Sequence, residues 1–352
     1  MFPRNRVPKD WISKRSENYM DKPVQYGIVG VGGFGAQRRE RLRKCSAYRI
    51  IGGVDIRHEA FTKAEAEEGR ALKRYASVEE LSADPAIEAV FIATPASLHV
   101  PQAMIAARAG KAVFCEKPLG PSLEDCRELV EYCEEHGIPH GHGFSARFSP
   151  LWQEVKRLVE AGTLCRIVSV SAATMHTGGF HFGEGCWRFK AGENPGGPLF
   201  QCGIHKLDTL RFLFGEGRWL AGVVNRTITS SPTDDAYVLL GEFGGIPTTF
   251  HSHYVASYRH AMEIYGTKGD LFITEFPDKL EHKITDLASG FEPVHDLTDT
   301  IPPTDAEGDA LRDFALSVRA RRQPAMSGRE GLKSMELIFE AVRIAKPLQL
   351  PL

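Results

Sequence analysis

Gly30, Gly32 and Gly35 stand at G-x-G-x-x-G spacing, directly after the apolar run Tyr26 to Val29 and ahead of a helical pattern. The first glycine permits a tight turn, the second lets backbone approach a pyrophosphate, and the third lets the helix pack against the strand. The helix N-terminus, opening near Gly33 and Phe34, faces the anion. Asp55 ends the next apolar run, Tyr48 to Val54, 20 positions beyond Gly35. A carboxylate there is placed to grip the hydroxyls of an adenosine ribose. It favours NAD over NADP because it repels a 2′-phosphate, while Arg57 and Arg38 nearby work in the opposite sense.

Two later apolar runs also end in polar residues. Ile92-Ala93-Thr94-Pro95-Ala96-Ser97-Leu98-His99 closes one, and the loop carrying Thr94, Pro95 and His99 is expected over a bound cofactor. Phe114-Cys115-Glu116-Lys117-Pro118 closes the other. A lysine at such a strand end can donate to a substrate hydroxyl and help move its proton, and partial desolvation favours its neutral form. Farther along, Trp187-Arg188 precedes a glycine-rich stretch from Asn194 to Gly203. Ile204, Leu207, Leu210 and Leu213 then form a helical apolar stripe. A helix beginning near Cys202 puts His205 in its first turn and Asp208 three residues on, where the carboxylate can orient the imidazole.

Other histidines come in pairs. His140-x-His142 and His251-x-His253 each put two imidazoles on one face of a strand. His176 and His181 flank Gly178-Gly179. For contact with a polyhydroxylated ligand the favoured residues are His176, His181, Arg147 and Arg188, with His251 and His253 assigned to a second sheet. No H-E-x-x-H or cysteine-pair pattern supports a metal, and none is expected. Arg38, Arg39, Arg41, Arg43 and Lys44 read as a solvated helix face.

These residues need elements to hold them. Residues 24–144 alternate apolar runs (24–30, 48–54, 88–93, 111–115, 138–143) with helical patterns (34–44, 60–67, 78–81, 101–109, 123–135), which predicts a doubly wound parallel sheet in an α/β fold. Ligands on such sheets bind at the carboxyl ends of the strands. The pattern changes near Pro150. A helix over 151–160 is followed by alternating segments (165–175, 219–229, 235–243, 247–255, 260–266, 270–275), which predicts a largely antiparallel sheet. Two amphipathic helices, 305–320 and 329–345, close the chain. The boundaries drawn are 1–23 as an extension, 24–144 as the first domain and 145–352 as the second.

The 352 residues are 42% hydrophobic and 25% charged, the balance of a globular chain of two domains. A net charge of -2 argues against a nucleic-acid partner. No apolar run is long enough to span a membrane. Seven cysteines, odd in number and without a C-x-x-C pair, suit a reducing cytoplasm. Residues 1–23 lack the apolar core of a secretory signal. They read either as a leader without order or as an arm on a partner subunit, with Trp11 and Tyr19 as anchors.

Taken together the motifs resemble the Gfo/Idh/MocA family (glucose–fructose oxidoreductase, inositol dehydrogenase and relatives). The glycine turn, Thr94-Pro95 to His99, Glu116-Lys117-Pro118, Gly143-Phe144 with Arg147-Phe148 and Pro150, Trp187-Arg188, Gly196-Gly197, Gly203-x-His205-x-x-Asp208 and Gly266-Thr267-Lys268-Gly269 appear in order over residues 24 to 345. The resemblance implies a Rossmann domain followed by an open α/β domain whose broad sheet mediates dimers or tetramers. It also implies NAD or NADP chemistry at a carbinol carbon of a sugar or cyclitol. Carried over to this sequence, Lys117 contacts the reacting hydroxyl, His205 is the second catalytic group, Glu116 holds the nicotinamide ribose, and Trp187, Arg188 and Gln201 belong with the substrate. Gln201 is a departure: many dehydrogenases of the family have an Asp there, and an amide cannot carry a proton. Three activities therefore stay open: a nicotinamide-dependent dehydrogenase or reductase, a redox-neutral enzyme with retained NAD, and a non-catalytic nicotinamide sensor.

Overall fold

The first sheet is built from short strands, of which the central ones are buried on both faces. In this computed structural model, which describes residues 22–183, 185–285, 292–303 and 305–348, the elements run β1 (Val24–Val29), α1 (Phe34–Lys44), β2 (Tyr48–Val54), α2 (His58–Glu68), β3 (Lys73–Arg74), α3 (Val78–Ala83), β4 (Ala89–Ile92), α4 (Ala96–Arg108), β5 (Ala112–Cys115), α5 (Leu123–Glu135) and β6 (His140–His142). The sheet is parallel in the order β3-β2-β1-β4-β5-β6. Every residue of β4 and β5 is buried, as expected of central strands covered by helices on both sides. α4 starts earlier than the sequence reading, at Ala96, because Pro101 is accommodated inside the helix. α3 and α5 are capped by the side chains of Ser77 and Ser122, which accept from Glu80 N–H and Asp125 N–H.

The chain continues with α6 (Pro150–Glu160), β7 (Ile167–Met175), α7 (Ile204–Phe214), β8 (Gly217–Asn225), β9 (Ala236–Phe243), β10 (Ile246–His253), β11 (Arg259–Gly266), β12 (Gly269–Thr274), β13 (Lys279–Ile284) and β14 (Val294–Asp296). It closes with α8 (Ala306–Ala320), α9 (Gly328–Ile344) and β15 (Lys346–Pro347). The second sheet has the order β14-β13-β12-β11-β7-β10-β9-β8-β15. It is antiparallel except for β10 against β7 and β15 against β8. β9 shows how one face is covered: Tyr237, Leu239 and Phe243 are buried, whereas Val238 is 38% and Leu240 47% exposed. Trp219 packs near Phe243 and Phe250 and donates its indole N–H to Leu337 O on α9. The opposite face carries the exposed Val238 and Leu240. No helix among the described residues is long and apolar enough to cross a membrane.

Two compact units result. One holds the described residues up to Gly143 together with Glu307–Glu330; the other holds Phe144–Ala306 and the chain from Gly331 onward. The linear boundary at 144/145 leaves 307–330 in the second domain, but packing returns this segment to the first. The physical reason is aromatic: Phe314 of α8 sits edge-on to Phe91 and Phe114, which stack on each other at 4.9 Å. Tyr48 Oη donates to Leu311 O. Residues 1–21, with Trp11 and Tyr19, lie outside the described residues.

Candidate active site

Register brings the chemistry-bearing strand ends of the first unit into one row. Val29 is level with Val54 on one side and Ile92 on the other, Ile92 with Cys115, and Cys115 with His142. The next residues are Gly30, Asp55, Ala93, Glu116 and Gly143. Backbone bonds extend the ladder one step past the strands, from Gly30 N to Val54 O, Ala93 N to Val29 O and Glu116 N to Ile92 O.

The glycine turn is sterically required. Gly30 has φ of +87°, and a Cβ there would come to 2.7 Å of Ala93 O; a Cβ on Gly35 would overlap Gly30 O. Gly32, Gly33 and Phe34 remain part or fully exposed at the start of α1. Asp55 Oδ2 accepts from Gly32 N–H at 2.9 Å, and Oδ1 accepts from Arg57 N–H at 2.9 Å and Arg57 Nε at 3.4 Å. Burial pushes the Asp55 carboxyl up, but the Gly32 and Arg57 donors outweigh it and hold it below its ordinary range. A tight exposed turn, a helix start and an ionised carboxylate fit the pyrophosphate and ribose of a dinucleotide.

Glu116 is 4% exposed, and its Oε1 accepts from Arg38 Nε at 2.5 Å. Lys117, joined to Pro118 by a cis peptide, is half-buried. His99 is buried on α4 with Nδ1 2.8 Å from Pro118 O and Nε2 2.8 Å from Thr94 O. Its ring lies between the Thr94-Pro95 loop and the Lys117-Pro118 turn, with one nitrogen beside a backbone carbonyl of each. Burial lowers its pKa against the pull of those carbonyls. Thr94 Oγ1 donates to Gln102 Oε1 at 2.6 Å. The expectation of a solvated basic face on α1 is corrected for Arg38 and Arg39, which are buried beside Gly35 and Leu42, whereas Arg41, Arg43 and Lys44 are exposed. The i, i+3, i+7 spacing of Gly35, Arg38 and Leu42 is the signal that marks Arg38 as inward-facing.

In the second unit α7 is preceded by a wide π-type turn, Leu199–Gly203, with Gln201 buried in it. His205, in the first turn of α7, meets the Phe144 ring edge-on at 6.0 Å. Asp208, the carboxylate expected to orient His205, also has guanidinium partners. Asp208 is fully buried and takes Arg147 through Nε at 2.9 Å and Nη2 at 2.5 Å, with Arg211 Nη1 at 3.7 Å. Arg147, expected at a sugar, is held by that same pair. His176 Nδ1 accepts from Gly178 N–H, and its Nε2 lies 3.5 Å from Cys202 Sγ. His181 is exposed. Arg188 lies over the Trp187 ring at 4.6 Å. Sequence reasoning missed the buried Lys206, which pairs with Glu275 beneath Trp152; Trp152 Nε1 donates to the other Glu275 oxygen at 2.9 Å. His140 and His142 are buried on β6, whereas His251 and His253 lie on β10 of the second sheet.

Residues 24–144 match the profile of an oxidoreductase family with an NAD-binding Rossmann fold, GFO_IDH_MocA, and residues 152–272 match the GFO/IDH/MocA C-terminal domain. The chain belongs to the Gfo/Idh/MocA family. It is an oxidoreductase whose first unit is of the nicotinamide-dinucleotide-binding type. Among Gfo/Idh/MocA relatives, it is 27% identical to 1,5-anhydro-D-fructose reductase of Ensifer adhaerens over 91% of this chain and 96% of that one. It is also 27% identical to scyllo-inositol 2-dehydrogenase (NAD(+)) of Bacillus subtilis (strain 168), over 77% of this chain and 80% of that one. Levoglucosan dehydrogenase in complex with NADH shares the fold with a TM-score of 0.81 and 20% identity, over 92% of this chain and 97% of that one.

Proposed function

We propose that this Gfo/Idh/MocA chain moves a hydride between a nicotinamide and a carbinol or ketone carbon of a sugar, sugar derivative or cyclitol, with NAD preferred to NADP. The observation that carries the reading is the row of strand ends in the first unit, where the glycine turn, Asp55 and Glu116-Lys117 share one sheet edge. The named relatives, a reductase and dehydrogenases of sugar-derived or cyclitol compounds, support the substrate class.

The turn from Gly30 to Gly35 and the first N–H groups of α1 would hold the pyrophosphate, Asp55 the adenosine ribose and Glu116 the nicotinamide ribose. When bound, the cofactor supplies the hydride acceptor or donor. In the oxidative direction Lys117 accepts the proton of the hydroxyl as the carbon loses its hydride; in reduction it returns that proton to the oxygen. His205 is the second proton-handling group. Trp187, Arg188, His176, His181 and Gln201 orient the remaining hydroxyls. Lys117→Ala should lower kcat by roughly 10²–10⁴-fold while cofactor affinity stays near normal. Steady-state kinetics beside calorimetric titration of NADH checks this, and substantial retained turnover removes Lys117 from the role.

The buried Gln201 favours a second reading. An amide orients a hydroxyl but relays no proton, which suits transient oxidation inside a redox-neutral cycle. The face of the second sheet that carries Val238 and Leu240 is proposed as the surface on which copies of the chain pair into dimers or tetramers, and seven cysteines without a C-x-x-C pair suit a reducing cytoplasm.

A further inference from the structure

Arg38 is a buried charge to which the proposed chemistry gives no task. It is 6% exposed and lies on α1 three residues past Gly35. Nε donates to Glu116 Oε1 at 2.5 Å, and Nη1 donates to Glu307 Oε1 at 2.8 Å. Glu307 Oε2 in turn meets Arg41 Nε at 3.0 Å. The Arg38 guanidinium carbon lies 5.1 Å from the Phe114 ring centre, on the strand that delivers Glu116. The fork is thus fixed from three sides, and one of its anchors comes from α8, the segment that returns from the far end of the chain.

The neighbouring residue gives this arrangement its meaning. Glu116 directly precedes Lys117, and it is the carboxylate assigned above to the nicotinamide ribose. A guanidinium keeps its proton throughout the working pH range and offers two directed donors, so it can hold a carboxylate in one orientation where a lysine would only attract it. We propose that Arg38 is a positioning residue for the reaction. Braced by Glu307, it fixes the Glu116 carboxylate in the orientation in which Glu116 serves the cofactor ribose. This rests on the functional reading above.

A double-mutant cycle tests it. With a sugar or cyclitol that the wild type turns over, Arg38→Met should lower kcat about tenfold or more, with KM for that substrate changed by less than about twofold. In the Glu116→Gln background the same change should cost less than about twofold in kcat, because an amide carries no charge to direct. A residue that merely supports packing would give equal fractional losses in both backgrounds, and that result overturns the proposal. So would a loss confined to KM or Tm. Arg38→Met leaves a buried carboxylate without its cation and can fail to fold. Arg38→Lys then takes its place in the cycle, with the double variant Arg38→Met/Glu116→Gln as the uncharged control. A wild type silent on every sugar and cyclitol would remove the functional reading beneath the proposal; an active wild type with additive losses removes only the role of Arg38.

Discussion

Asp55 shows what one side chain decides. Its two oxygens are turned to the glycine turn and to Arg57, so the same carboxylate shapes the turn and restrains the nearest cation. Asp55→Ala should therefore weaken NAD binding by about tenfold to a hundredfold, the worth of one or two charge-assisted hydrogen bonds. NADP binding should fall less, because Arg57 is released to meet a 2′-phosphate. Calorimetric titration with both cofactors checks this, and equal losses would contradict the assignment. At this scale the sequence identified residues better than partners. Arg38 was visible as a cation and Asp208 as a carboxylate. Their partners, Glu116 and Arg147, lie 78 and 61 positions away in the chain. Which charge meets which is settled by burial and by strand register, and spacing along one helix does not encode either.

At the scale of elements the first sheet was legible because its strands are apolar runs between helical patterns, and parallel pairing then sets their ends level. Strands with no such run were not legible. β3 is two exposed residues, β14 is a polar strand at the sheet edge and β13 is the polar strand next to it. The outward face of the second sheet makes the element-scale prediction. Leu240 on β9 pairs with Ala221 on β8 and Thr249 on β10, and Val238 pairs with Val223 and His251, leaving a shallow apolar strip beside polar strands. If copies associate there, Leu240→Lys should convert the assembly to single chains in native mass spectrometry while changing Tm little, as exposed substitutions do. A wild type that is already a single chain, or a variant that stays assembled, would rule this surface out.

The whole molecule is two units with a crossing chain. The polypeptide leaves the first unit at Gly143 and comes back to it over Glu307–Glu330, so the brace on Arg38 and the aromatic partner of Phe91 and Phe114 are the last parts of that unit to be synthesised. A linear reading could not see this return, because the amphipathic pattern of α8 shows that it packs and does not show on what. Whether the completed chain carries out net redox chemistry is the claim on which the rest depends. The direct measurement is the reduced-nicotinamide absorbance of the full-length protein with NAD and a panel of sugars and cyclitols, with product followed in the same samples. Reduced cofactor should accumulate in step with a ketone product for at least one compound. Product formed without any net change in absorbance would contradict the account and establish the redox-neutral cycle instead.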